Sequence, residues 1–217
     1  MPSPTDVYYA KRLEEVAGAL RSNHFDAHVV PDIAAARALF LETILPRSGA
    51  GTVAYGGSAT LMALGLPETL AATPGLDVVD TLDRTLTPEQ AYERRRQALL
   101  VDLFLTGTNA VTADGVLVNL DMIGNRACAI AFGPKRVVVF VGRNKLVEDL
   151  TSAVQRIKEF AAPANAIRLA KNTPCVKTSH CEDCGSPERI CNVWTITEKS
   201  FPRGRISVVC INQDLGL

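Results

Sequence analysis

The run RVVVFVG at residues 136–142 limits the fold more than any other stretch of the chain. Five consecutive Val or Phe residues without alternation suit a strand covered on both faces, as in the middle of a parallel sheet. A second apolar run, residues 103–106, ends in Gly107-Thr108-Asn109, as the first ends in Gly142-Arg143-Asn144-Lys145. Between them lie a turn (113–115), a short strand (116–119) and a small-residue helix (124–132) stopped by Gly133-Pro134. Strands that end in glycines and polar groups place a pocket where an α/β sheet meets solvent.

The rest of the chain supplies alternating helices and strands. Residues 6–21 carry Val7, Leu13, Val16, Ala17 and Leu20 largely on one stripe, which predicts an amphipathic helix. A strand is expected at 27–30. Asp32 then caps a helix over 33–44, ended by Pro46. Residues 52–55 read as a strand that turns through Gly56-Gly57-Ser58 into a helix. That turn is either an anion cradle or a plain strand-to-helix turn capped by Ser58, and it lacks both the P-loop lysine and GxGxxG spacing. A further strand is expected at 77–80. Thr87-Pro88-Glu89-Gln90 is a capping box with proline at the first helical position. The following Arg94, Arg95 and Arg96 form a solvated face or a contact between copies in a homo-oligomer. Residues 148–160 predict a helix with Leu150, Val154 and Ile157 inward, interrupted at Pro163, with one more helical piece at 164–170.

This order predicts an α/β three-layer sandwich with a largely parallel sheet. Right-handed crossovers would bring the loops after Tyr55, Thr106 and Val141 to one edge. The chain, residues 1–217, reads as a single domain. It has an N-terminal helical region (1–50), an α/β core (51–171), and a Cys-rich loop with a C-terminal β-hairpin (172–217) built from residues 193–197 and 206–212. Trp194 would anchor that hairpin on the core, and Cys128 and Cys210 would be buried apolar residues.

The segments GTNAVTADGVLVN, GNR, FGPKRVVVFVGRNK and TPC…CEDCGSPERICN, with the terminal LGL, resemble the lactate-utilisation (LUD) domain family. The likeness is strongest to its short branch, which includes lactate-utilisation protein C. The resemblance implies a NagB/RpiA/CoA transferase-like fold and a connection to oxidation of L-lactate to pyruvate beside iron–sulfur partner subunits. Sugar-phosphate isomerases of that wider group place a catalytic Asp in a Gly-Ala-Asp turn. Here the corresponding residues are Gly107-Thr108-Asn109, and Asn109 cannot take a proton at neutral pH. Asp102, Asp114 and Asp121 are nearby carboxylates with structural positions, so isomerase or acyl-transferase chemistry stays a secondary reading.

Two candidate sites follow. The first is a ligand pocket lined by Gly56, Gly57, Ser58, Gly107, Thr108, Asn109, Asn119, Asn125, Arg126, Arg143, Asn144 and Lys145. Its glycines and hydroxyls would hold a small anionic or phosphorylated ligand. Arg126 or Arg143 would clamp a carboxylate and Lys145 would act as a point charge. Alternatively, Asn125 and Arg126 cap a helix and Arg143 pairs on the surface. The second is Cys175-x5-Cys181-x2-Cys184-x6-Cys191, with His180 adjoining. Four thiolates at this spacing could hold zinc or an iron–sulfur cluster, as an accessory or electron-transfer subunit would, or could be free thiols in a surface loop. His24 and His28 have no nucleophile nearby in sequence and read as structural.

Composition narrows the partners. Lys plus Arg and Asp plus Glu are both 23, and aromatics are 6%. Neither a basic surface nor stacking platforms for nucleic acid are expected. No apolar run is long enough to span a bilayer, and the N-terminus lacks a signal-peptide core, which predicts a cytoplasmic protein.

Overall fold

The computed structural model describes residues 3–217. The helices, in chain order, are α1 (Pro4–Ser22), α2 (Ile33–Leu39), α3 (Leu45–Ser48), α4 (Ala59–Ala63) and α5 (Leu66–Ala71), followed by α6 (Pro88–Gln97), α7 (Asn125–Ala131), α8 (Leu150–Arg156), α9 (Ala162–Arg168) and α10 (Pro174–Thr178). The strands are β1 (Asp26–Val30), β2 (Thr52–Tyr55), β3 (Asp77–Val79), β4 (Leu103–Gly107) and β5 (Ala110–Thr112), then β6 (Leu117–Asp121), β7 (Arg136–Gly142), β8 (Leu146–Val147), β9 (Val193–Thr197) and β10 (Ile206–Ile211).

Six strands form one parallel sheet in the order β1-β10-β7-β4-β2-β3. Alternate residues of β7 serve opposite faces, as the unbroken apolar run requires. Val137, Val139 and Val141 meet Leu13, Val16 and Leu20 of α1 and Ile130 of α7. Val138 and Phe140 meet Phe40, Leu61 and Leu66 on the other side. The result is the expected three-layer α/β sandwich. A second sheet, β8-β5-β6-β9, draws β5 and β6 from between β4 and β7 and β8 and β9 from after β7, and it carries α8 on a separate apolar cluster around Val118, Leu120 and Ile157.

The C-terminal hairpin does not form. β9 pairs antiparallel with β6, whereas β10 lies between β1 and β7 in the main sheet. Burial explains the separation. Every residue of β10 is buried, so it needs a partner on each side and a layer on each face. β9 is only partly buried and suits the edge of the small sheet. Trp194 accordingly packs on the small-sheet cluster.

Three local expectations also change. Helical structure continues past Pro46 and Pro163. The turns just before them, Phe40–Ile44 and Ile157–Ala161, are π-helical, and their wider spacing accommodates the missing N–H and the pyrrolidine ring. The inward face of the α8 region is Ala153, Ile157 and Ala161, with Leu150 and Val154 exposed, because small side chains allow the helix to approach the small sheet. Cys128 is exposed: seven-residue α7 turns Ala127, Ala129 and Ile130 inward and Cys128 outward, while Cys210 is buried as expected. His24 takes a left-handed φ of 68° just after α1, and His28 lies in β1 with Nε2 3.2 Å from Asp26.

At the opposite edge from the strand carboxyl ends, Asp102 ties three strands together. Its carboxylate accepts from the Gly51 and Thr52 amides and the Thr52 hydroxyl, and pairs with Lys135 at 2.6 Å. The Lys135 bond, then the Thr52 bonds, hold it far below the usual carboxylate range. A depressed carboxylate stabilises the fold above its unfolded value near 3.8 and loses that contribution as pH falls towards the folded one. Asp102→Asn is therefore expected to melt lower than the natural chain at neutral pH and to show a flatter acid limb; melting curves against pH check this.

Candidate functional site

The loops after β2, β4 and β7 meet at the carboxyl edge of the main sheet. Gly107, the last residue of β4, faces Ser58 so closely that a Cβ there would lie 2.5 Å from the Ser58 hydroxyl oxygen. Ser58 caps α4 through Leu61 N–H at 3.3 Å, and the Gly56 N–H donates to Leu105 O at 2.9 Å. The turn thus has its structural role, whatever it binds. Thr108, also buried, donates its hydroxyl to Ala110 O at 3.0 Å. After β7, Lys145 turns inward and its ammonium donates to the Thr60 hydroxyl at 2.9 Å. Thr60 in turn donates to Leu215 O at 3.1 Å.

The C-terminal segment lies across this group. Asn144 accepts from Leu215 N–H at 3.0 Å and donates to Gly216 O at 3.3 Å. Gly216 has φ of 68°, and a Cβ there would stand 2.8 Å from the Thr60 oxygen and 3.2 Å from Lys145 Nζ. Glycine alone permits this approach at no steric cost.

Asn109 is the hub between two arginines. Its Oδ1 accepts from Leu120 N–H at 2.9 Å and Arg126 Nη2 at 2.6 Å. Its backbone carbonyl accepts from Arg156 Nη1 at 2.8 Å, and Arg156 Nε reaches Asn144 O at 3.1 Å. Arg126 pairs with buried Asp121 at 2.6 Å, and the other Asp121 oxygen accepts the Ala127 amide near the start of α7. Asp121 is thus the side chain that caps this helix, and Asn125 is its half-buried first residue.

The charge balance of the group is uneven. Lys145 is 5% exposed. Among the described residues no carboxylate pairs with Lys145 or Arg156. Burial first, then the charges of Arg156 and Arg126, push the Lys145 amine down to about 7. Burial also lowers Arg156. Asn119 in β6 is fully buried, and neither polar atom of its side chain has a partner; across the ladder Thr195 Oγ1 is likewise unpartnered. Such orphans are costly, and a ligand or water would relieve them.

Arg143 is engaged elsewhere. It pairs with Asp6 at 2.7 Å and Asp214 at 3.0 Å and sits 5.1 Å from the Tyr9 ring centre. It borders a broad cleft of about 900 Å³ between α1 and residues 212–215. Sequence reasoning missed Thr60, Arg156 and the Leu215–Gly216 segment. Arg156 carried no signal, because a lone arginine on a helix reads as surface. The terminal LGL belongs to the family resemblance, but residue type alone does not say where it docks.

The four clustered cysteines also come together. Cys175 stands in α10, and Cys181, Cys184 and Cys191 lie in the irregular stretch that follows. All four are half-buried and free, and all four line one small cavity of about 20 Å³. As they stand, no three His, Cys, Asp or Glu side chains among the described residues are gathered closely enough to hold a metal ion. The His180 backbone N–H donates to the Thr178 hydroxyl at 3.3 Å.

A family model described as the LUD domain matches residues 13–211. No curated protein matches the chain. Among solved structures, the chain is similar to the crystal structure of a DUF162 family protein from Deinococcus radiodurans, at 14% identity over 94% of this chain and 97% of that one, with a TM-score of 0.47. DUF162 denotes the same family as the LUD domain. Among the described residues no helix is long and apolar enough to cross a membrane.

Proposed function

Because this chain belongs to the LUD domain family, which is linked to lactate utilisation, we propose that it binds a small anionic ligand at the carboxyl edge of its main sheet. The ligand is a carboxylate or phosphate that accepts from Lys145 and Arg156, and the setting is oxidation of lactate to pyruvate beside iron–sulfur partner subunits. One observation carries this reading. A buried ammonium with no carboxylate partner among the described residues, set near two guanidinium groups, is an unfavourable arrangement that an anion would complete. Leu215 and Gly216 cross the group, so ligand entry requires that segment to move.

The site is better equipped to bind than to transfer protons through a carboxylate. Asn109 occupies the hub where an acid would be needed, and it already accepts from Leu120 and Arg126. Asp121 is committed to Arg126 and to the amide of Ala127. These commitments weigh against isomerase or acyl-transferase chemistry.

Thermal shift with lactate, pyruvate, inorganic phosphate and sugar phosphates tests the proposal. A ligand present at about 100 times its Kd stabilises by about 2.7 kcal/mol. Affinity is expected to weaken as pH rises above about 7, because the free amine loses the proton that the bound anion favours. A wild-type melting temperature unmoved by every anion in the series would sink the proposal.

A further inference from the structure

We propose that Cys175, Cys181, Cys184 and Cys191 are the four ligands of a metal centre held by thiolates, either a zinc ion or an iron–sulfur cluster. The inference stands on a different part of the molecule from the lysine site, and neither depends on the other.

The fold brings together what the sequence only spaces. Cys175 is carried in the first turn of α10, where Pro174 occupies the first helical position. The other three come from a stretch without helix or strand, and yet all four face one cavity. Its volume of about 20 Å³ is roughly that needed for one water-sized body, so an ion or a cluster enters only as the loop rearranges around it. The two cysteines outside this stretch, Cys128 and Cys210, sit in α7 and β10 and take no part. None of the six is in a disulfide, so cross-linking is not what holds the loop.

Cations as well as carboxylates surround the cavity. Four thiolates around a divalent ion leave two net negative charges. Arg189 lines the cavity together with Glu182 and Asp183, and Lys158 joins it from outside through Asp183, which pairs with Lys158 at 2.9 Å and with Arg189 at 2.8 Å. Arg189 also donates to the backbone carbonyls of Cys184 and Cys191, holding both ends of that segment. As they stand, no three of these thiols are gathered closely enough to chelate. Rotation of the cysteine side chains and settling of the irregular loop close the set. Binding replaces each S–H bond by an S–metal bond and releases the proton to solvent, so uptake is steeper at higher pH.

Elemental analysis and visible absorption of the full chain, purified without oxygen, read the proposal directly. Zinc at one ion per chain, or iron and sulfide with the broad visible absorption of a thiolate-bound cluster, supports it and tells the two metals apart. Cys184→Ser and Cys191→Ser are expected to lose most of the metal, and Cys128→Ser to keep it. Should the ligand variants fail to fold, alkylation of the natural chain decides. Metal should protect Cys175, Cys181, Cys184 and Cys191 together and leave Cys128 reactive, with the protection removed by a chelator. A chain that is metal-free as purified, takes up neither zinc nor reconstituted iron and sulfide, and alkylates all four thiols freely overturns it.

Discussion

Lys145→Met is expected to melt at a higher temperature than the natural chain near neutral pH, and to lose the ligand-induced shift altogether. The amine is buried, and its value falls from 10.5 when unfolded to about 7 in the fold. A lysine whose folded value lies below its unfolded value binds a proton more readily in the unfolded chain. Stability therefore falls as pH drops from about 10.5 towards about 7 and then levels off. At roughly 1.4 kcal/mol per unit, the penalty near neutral pH is about 3–5 kcal/mol. That corresponds to a melting difference on the order of 10 °C for a domain of this size. Methionine fills similar volume without charge, and Thr60 keeps its bond to Leu215. The gap should close as pH rises towards about 10. Natural chains keep such locally unfavourable groups mostly at functional sites, which is consistent with a ligand at Lys145. Parallel melting of the two proteins over that pH range would overturn the assignment.

Arg126→Met is expected to act in the opposite sense and to cost about 3–5 kcal/mol, because it leaves Asp121 as an uncompensated buried carboxylate. The pair is 2.6 Å long, and its side chains are 12% and 9% exposed, so solvent screens it little. The double variant Arg126→Met, Asp121→Asn should recover most of that loss, since no buried charge then stands alone and an amide oxygen still accepts the Ala127 amide. Chemical denaturation of the four proteins of this cycle measures the coupling. Additive losses, with no recovery in the double variant, would mean that Arg126 stabilises the fold through Asn109 and Leu120 instead. Ligand affinity of the double variant then separates a structural arginine from a binding one.

The sheet was largely legible in the sequence, because hydrophobic patterning is local. β7 announced its buried position through five apolar residues in a row, and the Thr87 capping box formed as written. A similar box at Ser3 and Asp6, with Pro4 at the helix start, went unread although its signal is equally local. β10 shows where patterning stops. Its apolar run specified a buried strand, but pairing with β1 and β7 instead of β9 depends on which layers are available to cover it. The prolines at 46 and 163 look like helix stops in sequence because a π-helical turn has no signature in residue type.

For the lysine site, the sequence by itself determined the parts: glycines where backbones approach, polar residues at strand ends, and a lysine after β7. Tertiary structure decided the assembly. It diverted Arg143 to Asp6 and Asp214, and brought in Arg156 from α8 and Gly216 from the C-terminal segment. It left Lys145 buried without a carboxylate partner among the described residues. The physical reason is range. Strand and cap formation depend on neighbours a few residues away, whereas burial and the pairing of a charge depend on groups that only the finished fold sets side by side.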